Sequence, residues 1–470
     1  MKNLILIVVM QIVILIGTSC EGGGKSAKEE AKSSKAAFTG AKGEVKIIDL
    51  DPGHFHAALV QKDMYDEISP EAYVYAPDGP DVKEHLKLID SYNKRAEKST
   101  AWVEKVYTGA DYLEKMLAEK PGNVVVLAGN NRLKTDYIKK SVEAGLNVFA
   151  DKPMVISPDK LSELEEAFKI AQEKGVLIYD IMTGRFEINS ILLKEISQLP
   201  EIFGKLQTGT PEQPAVEMGS IHHYYKKVSG SILVRPGWYY DVEQQGEGIV
   251  DVTTHMVDFI QWGCFPNQII KKSDIEMISA KRWPTVVSKE DFKSVTFLDQ
   301  FPDYLKKDVK RDNLMVYANG EMIYKIKGVV AKLSIEWRNK SVDSKGDTQK
   351  VILRGTNCTL EIRDGNLIII ANDKNDLGLF SGNLEKAIVQ DLPQSGLGIE
   401  KVNNNTWKVI VPDKYKVPHE TNFSQVMQKF LGYLKEGKLP SWEVPNIITK
   451  YYTTTSALKL ARETKQTNGK

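Results

Sequence analysis

The stretch Val142-Glu-Ala-Gly-Leu-Asn-Val-Phe-Ala-Asp-Lys-Pro153 decides how the chain is read. It leaves a helix through Gly145, enters a short apolar strand at Val148, Phe149 and Ala150, and stops on Asp151-Lys152-Pro153. A proline fixes the turn, so a lysine just past a buried strand is held over whatever occupies the crevice there. Taken alone, the same residues also describe an ordinary surface lysine at a strand end. The flanking segments bear on the choice.

Upstream, Val124-Val-Val-Leu-Ala128 is a run of buried-strand type, stopped by Gly129-Asn130-Asn131 and followed by a helix from Lys134 to Ala144. Earlier still, Val45-Lys-Ile-Ile-Asp-Leu50 is a strand whose turn, Asp51-Pro-Gly-His-Phe-His56, leads into a helix from Ala57. Ala72 to Ala76 is a strand ending near Asp78, and a polar helix runs from about Val82 to Lys98. Downstream, Leu161, Leu164, Phe168 and Ala171 form one helical face, and a strand from Val176 to Tyr179 precedes Thr183-Gly-Arg-Phe186. Strands alternating with helices over residues 44–184 predict an α/β fold built on a doubly wound parallel sheet. Ligands of such sheets sit beyond the carboxyl ends of the strands.

Residues 185–470 have another rhythm. After a helix from Ile188 to Leu199, strands are predicted at Asn313–Ala318, Met322–Ile326, Ala331–Trp337, Lys350–Arg354, Thr359–Ile362 and Leu367–Ala371. Asn319-Gly320 and Asp364-Gly365 read as hairpin turns of an antiparallel sheet. The chain closes on helices, the first with Phe423, Val426, Met427, Phe430 and Leu431 on one face.

Charge and the amino-terminal segment set the compartment and exclude one class of partner. With 63 Lys+Arg against 62 Asp+Glu there is no basic field to hold nucleic acid. Residues 1–19 carry Lys2, an apolar run and Gly17-Thr18-Ser19, which reads as a secretory signal. The Gly-Thr-Ser-Cys ending resembles a bacterial lipobox, so Cys20 is expected to carry the lipid that anchors an exported protein facing the periplasm or the cell surface. Residues 20–43 are expected to be a flexible tether. Cys264 and Cys358 lie in segments that read as core, where free buried thiols are favoured over one disulfide.

Three groups carry chemistry. In Asp51-Pro-Gly-His-Phe-His56 only Gly53 survives of a G-x-G-x-x-G turn, and the His54-x-His56 pair also suits a metal-dependent hydrolase or a structural pair. In Gly246-Glu-Gly-Ile-Val-Asp251-Val-Thr-Thr-His255-Met-Val-Asp258, a helix would place Asp251, His255 and Asp258 on one face. Asp251 would then orient the His255 imidazole as a proton acceptor. His222-His-Tyr-Tyr-Lys226 and Arg235-Pro-Gly-Trp-Tyr-Tyr-Asp241 offer aromatic rings beside hydrogen-bonding groups, which suits a sugar and equally a subunit interface.

Taken in order, these residues resemble the glucose-fructose oxidoreductase, inositol dehydrogenase and MocA (Gfo/Idh/MocA) family. Ala144-Gly145 to Asp151-Lys152-Pro153 is similar to its A-G-K-H-V-x-x-E-K-P signature, with Asp151 in place of Glu. Gly129-Asn130-Asn131 resembles its strand-end loop, Arg185-Phe186 its R-F element, and Gly246 to Asp258 its glycine turn and D-x-x-x-H-x-x-D helix. The resemblance implies a Rossmann domain followed by an α/β domain with an open, mainly antiparallel sheet that forms a homo-oligomer face. It implies Lys152, Asp251 and His255 as catalytic residues. It implies NAD held by Asp51, Gly53, His54, Phe55 and His56, by Asp78, Asn130 and Asn131, and by Asp151, Lys152, Pro153 and Arg185. A carboxylate at Asp78 would favour NAD over NADP by accepting from the ribose 2′-hydroxyl. The sugar would lie on His222, Arg235, Trp238, Tyr239 and Asp258, and no metal is expected.

The expected activity is oxidation of a secondary hydroxyl of a sugar or glycoside by hydride transfer to tightly bound NAD. Export removes access to a cytoplasmic nicotinamide pool, which keeps a redox-neutral glycosidase working by transient oxidation as the second reading. A metal-dependent hydrolase and a non-catalytic sugar-binding lipoprotein are the remaining ones.

Overall fold

The computed structural model describes residues 38–228, 231–341 and 347–467. The expected signal, Cys20 and the tether up to residue 37 lie outside the described residues. Six strands, β1 (Ile47–Leu50), β2 (Glu71–Tyr75), β3 (Val103–Tyr107), β4 (Val124–Leu127), β5 (Asn147–Asp151) and β6 (Ile178–Ile181), form a parallel sheet in the order β3-β2-β1-β4-β5-β6. Between them run α1 (His56–Val60), α2 (Pro80–Lys94), α3 (Tyr112–Glu119), α4 (Lys134–Glu143) and α5 (Leu161–Lys174). The order reverses between β1 and β4, which is where sheets of this kind open a crevice for ligands. Every residue of β1, β4, β5 and β6 is buried, so these strands read as mainly apolar runs, interrupted by Asp49, Asn147, Asp151 and Asp180. The edge strand β3, Val-Glu-Lys-Val-Tyr, is mostly exposed and half polar, so neither it nor α3 announces itself in the sequence. Gly145, at φ 80°, takes the left-handed conformation that ends α4 and feeds β5.

The second part starts with α6 (Ile188–Ser197) and β7 (Val216–Tyr225), then a small hairpin of β8 (Lys227–Val228) and β9 (Ser231–Ile232). Next come α7 (Thr253–Phe259), β10 (Ile275–Val287), α8 (Lys289–Thr296), β11 (Val309–Lys310), β12 (Asn313–Ile326) and β13 (Val329–Lys340). They are followed by β14 (Thr348–Arg354), β15 (Cys358–Arg363), β16 (Asn366–Ala371), α9 (Leu377–Lys386), β17 (Gly398–Asn403) and β18 (Thr406–Ile410). The large sheet runs β10-β12-β13-β7-β14-β15-β16-β18-β17, with β11 beside β12. Its pairings are antiparallel except β13 with β7. The fold is therefore the expected α/β combination of a parallel Rossmann sheet with a mainly antiparallel one. Cys264 and Cys358 are free thiols, as expected.

One expected turn is overturned. β12 passes straight through Asn319-Gly320, because the Asn319 side chain does the work of ladder bonds at a bulge in β10. Its amide donates to the Trp283 carbonyl (3.1 Å) and Thr285 Oγ1 (2.9 Å), and its oxygen accepts from the Trp337 N–H (2.6 Å). The hairpin lies later, at Lys327-Gly328, where φ of 48° and 80° suit a tight two-residue turn, and Asp364-Gly365 is a turn as expected.

The closing helices α10 (His419–Glu436) and α11 (Glu443–Thr467) return to the parallel sheet. Phe430 stacks on Phe149 and Tyr179 at 5.0 and 5.7 Å, and burial of such a ring contributes about 2–3 kcal/mol. Ile447 and Tyr451 of α11 join the core beneath β4 and β5, whereas Ala457, Leu458 and Ala461 join the core of the large sheet.

Where these layers meet lies a buried chain of charges. Lys450 Nζ, wholly inaccessible, is 2.8 Å from both Asp180 and Asp258. Arg185 grips Asp258 through two nitrogens at 2.7 Å each and reaches Glu443 at 2.8 Å. This corrects two expectations: Arg185 does not face a cofactor, nor Asp258 a substrate, because each is consumed by the other. Replacing Lys450 with alanine leaves two buried carboxylates without their shared cation, and is expected to cost about 3–5 kcal/mol in urea denaturation. A loss below about 1 kcal/mol, the range of surface pairs, would show that the chain of charges is not buried as described.

Candidate active site

The crevice at the sheet's switch point faces β7 and β13 of the large sheet across a cavity of about 460 Å³. From the Rossmann side it receives His54, Phe55, His56, Asn131, Asp151 and Lys152. Gly129 allows the loop after β4 to lie against the turn after β1, since a Cβ there would meet the Asp51 carbonyl at 2.1 Å. Lys134 Nζ, buried beneath, donates to Asn131 Oδ1 (2.5 Å) and to the Asp151 carbonyl (3.0 Å), pinning the β4 and β5 ends together. Burial pushes its ammonium down to about 8. Pro153 follows Lys152 through a cis peptide bond.

Lys152 Nζ lies 2.7 Å from Asp251 Oδ1, and Gln245 donates to the other oxygen at 3.1 Å. Burial opposes the Lys152 charge, but Asp251 and Asp151 outweigh it and hold the ammonium above its ordinary value. Burial likewise opposes the Asp251 charge, and Lys152 reverses that. The expectation that Asp251 holds His255 is thus corrected: residues before Thr253 are turns, not helix, so Asp251 reaches Lys152 instead. His255 lines the same cavity. Burial, and then the nearby Lys152 charge, push its imidazole down to about 3, so it is neutral at physiological pH.

The opposite wall is aromatic. Arg235, buried, lies over the rings of Tyr239 (4.4 Å) and Trp337 (5.3 Å), and no carboxylate pairs with its guanidinium among the described residues. His222 stacks on Trp337 at 5.0 Å and faces Asp347 at 3.3 Å. Asp347 also pairs with Lys226 (2.8 Å); burial works against its charge, but His222 and Lys226 hold its carboxyl well below the usual range. Trp337, Asp347, Lys134 and His419 have no role assigned from the sequence, whereas Gln245 belongs to the polar and aromatic approach that suits a sugar or an interface. Period-two alternation along Ala331–Trp337 would have pointed Trp337 to one face, but nothing local marks Asp347 or His419.

Other expected cofactor residues lie outside the cavity. Asp78, at the β2 end, is 64% exposed and pairs with Lys83 at 3.1 Å. Asn130 donates to Gln244 at 2.7 Å, and Asp51, at φ 50°, accepts from the Tyr137 hydroxyl at 3.0 Å. Trp238, expected at the sugar, instead covers Gly53 and donates to Asp81 Oδ2 at 2.7 Å.

Residues 192–462, more than half of the chain, match the family model described as "Putative oxidoreductase C terminal domain", and residues 69–180 match "Oxidoreductase family, NAD-binding Rossmann fold", the Gfo/Idh/MocA model. The chain belongs to the Gfo/Idh/MocA oxidoreductase family. A crystal structure described as a "putative oxidoreductase", from Parabacteroides merdae, is 52% identical, with a TM-score of 0.89, covering 91% of this chain and 100% of that one. Two solved sugar or polyol dehydrogenases share the fold. One is myo-inositol 2-dehydrogenase from Lactobacillus plantarum, with 14% identity, TM-score 0.52, and 89% and 97% of the two chains covered. The other is levoglucosan dehydrogenase in complex with NADH and levoglucosan, with 11% identity, TM-score 0.57, and 89% and 97% covered. A search of curated proteins finds no match.

For a Gfo/Idh/MocA member the pyrophosphate of NAD(H) belongs at the turn after β1. Here the Gly53 and His54 N–H groups both donate to the Ala128 carbonyl, at 3.3 and 3.1 Å. The space over Gly53 is filled, since a Cβ there would meet Asp81 Oδ2 at 2.9 Å and Trp238 at 3.3 Å. Burial raises the Asp81 carboxyl, and the charge of Asp51 raises it further. Two acids beside satisfied amides are poor company for a pyrophosphate. The nicotinamide end of the family's site, at Asn131 and Lys152, is open to the cavity, whereas the pyrophosphate end fits only with the Asp81–Trp238 pair withdrawn.

Burial also pushes His85 down to about 4. Unfolded imidazoles take up protons near 6.5, so between that pH and about 3 or 4 the unfolded chain binds more protons than the folded one. Stability is therefore expected to fall as pH drops from about 7 to about 5, read as a lower denaturation midpoint. His255→Gln should lose less over the same interval; an equal loss would show that His255 is not held neutral.

Proposed function

We propose that this family member is a NAD(H)-dependent oxidoreductase acting on a secondary hydroxyl of a sugar or glycoside. The observation that carries the proposal is a buried ammonium, Lys152, clamped by Asp251 in the same cavity as a neutral imidazole, His255. The nicotinamide, when bound, supplies the hydride acceptor. Lys152 offers fixed positive charge to an oxygen that becomes an alkoxide, in a site where water does not dilute it. His255 is able to take up the hydroxyl proton, and Asp251 acts through Lys152 as a positioning residue. Tyr239 and Trp337 suit the C–H face of a sugar ring, and Arg235 has donors for its hydroxyls. The names of the levoglucosan and inositol dehydrogenases support this substrate class.

Glycoside cleavage without net oxidation is a second reading. It is favoured by His222, paired with Asp347 and lining the same cavity as His255, which provides two imidazoles for proton removal and return. Product masses from a glycoside screen separate the two: loss of two hydrogens means oxidation, and bond cleavage without it means the second route. The proposal extends to a lipid anchor at Cys20 and to a homo-oligomer, tested by membrane fractionation and light scattering.

Lys152→Met is expected to lower kcat by about 10²–10³-fold, measured on protein that is still folded, and also to lower the melting temperature, because the buried Asp251 carboxylate loses its cation. Undiminished turnover would remove Lys152 from the reaction. Asp81→Asn, which removes one of the acids beside Gly53, is expected to tighten NADH binding several-fold in a fluorescence titration. Unchanged affinity would place the pyrophosphate elsewhere.

A further inference from the structure

Three cavity-lining side chains have no part in the reaction proposed above: His54, His56 and Asp151. The Nδ1 atom of His56 lies 2.9 Å from Asp151 Oδ2, and the Nδ1 atom of His54 lies 3.5 Å from the same oxygen. The three donor atoms all lie within 4.8 Å of one another. Ligands about 2.0–2.2 Å from a tetrahedral zinc ion stand roughly 3.3 Å apart, so the two separations bracket the edge of a coordination tetrahedron. His54 Nδ1 is sealed from solvent and lies 3.5 Å from the carboxylate oxygen, at the outer edge of hydrogen-bonding distance, while His56 Nδ1 is hydrogen-bonded to the same oxygen at 2.9 Å. Two buried imidazole nitrogens converging on one carboxylate oxygen, one of them only loosely held by it, is a geometry that a metal ion can occupy in place of a proton.

The surroundings hold the donors in place. The two imidazoles pack edge to face at 4.0 Å, Phe423 lies 4.7 Å from the His56 ring, and Phe55 lies 4.7 Å from the His54 ring. Lys134 fixes the Asp151 backbone from behind through its carbonyl, the kind of outer support that orients metal ligands. All three residues line the cavity that Lys152 and His255 share, so a substrate oxygen reaches them from that side. Three protein donors with one open position is the arrangement of reactive zinc sites rather than of closed structural ones.

We propose that His54, His56 and Asp151 bind one divalent transition-metal ion of the zinc class, whose open position takes an oxygen of the substrate. The ion acts as a Lewis acid, polarising a hydroxyl or carbonyl oxygen that lies between it and the Lys152 ammonium. Two neighbouring cations select an oxygen that carries or develops negative charge. The site needs no dinucleotide, and it stands whether or not the pocket oxidises its substrate.

The test uses the full chain, freed of metal by a chelator and titrated with Co(II) while the visible absorption of the bound ion is recorded. One equivalent per chain is expected. His54→Ala, His56→Ala and the near-isosteric Asp151→Asn are each expected to weaken Co(II) binding at least tenfold with an unchanged circular dichroism spectrum. His85→Gln, in the separate buried cluster Asp49, His85 and Glu104, should leave it intact. The proposal is overturned if the folded wild-type chain binds no Co(II). It also falls if folded His54→Ala, His56→Ala or Asp151→Asn binds as the wild type does, or if binding is lost in His85→Gln alone. Should the alanine variants not fold, Asp151→Asn and the wild-type titration decide the matter.

Discussion

The position of nearly everything in the crevice depends on one buried ionic chain, from Asp180 through Lys450 and Asp258 to Arg185 and Glu443. Five charged groups withdrawn from water are tolerated only because each is paired, and the pairs join β6, the turn after it, α7 and α11. Asp258 is one turn from His255, so the clamp on the carboxylate also fixes where the imidazole stands. Asp251 lies just upstream of the same helix and meets Lys152 from the β5 end. Two ion pairs thus set the distance between the halves of the cavity.

The cavity keeps charge and neutrality apart in an ordered way. Lys152 and Asp251 neutralise each other, and Asp151 lies between Lys134 and two imidazoles. The imidazoles are uncharged because burial denies them protons. Neutral nitrogens with free electron pairs beside fixed ammonium groups make a site that can both accept protons and hold electron-rich oxygens. Arg235, buried over aromatic rings without a carboxylate partner among the described residues, extends that preference to the far wall.

The Rossmann half was legible where its strands are buried on both faces: Val124–Leu127 could be little else, and Gly145 with Pro153 marked the bounds of β5 and the place of Lys152, whereas the exposed β3 gave no signal. The large sheet was less so. β7 mixes Glu217, Ser220 and His222 with Met218 and Tyr224, since one stretch serves both the core and the cavity, and no clean alternation survives. Asn319-Gly320 carried the composition of a turn, yet a side-chain amide bonded to both neighbouring strands kept it extended. Arg185, Asp251 and Asp258 stand out in the sequence, but a motif names a charge without naming its partner. The order in which carboxylates and cations pair is a property of the packed chain, and His419 and Asp347 enter the cavity from segments with no signal of their own.

The last two helices give the fold an order in time. Phe423 to Leu434 cover one side of the parallel sheet, and Ile447 with Tyr451 complete the core under β4 and β5. A ribosome releases the strands of that sheet long before it releases the helices that seal them. The amino-terminal half therefore keeps part of its apolar surface uncovered, beyond what its own helices seal, until α10 and α11 have been synthesised.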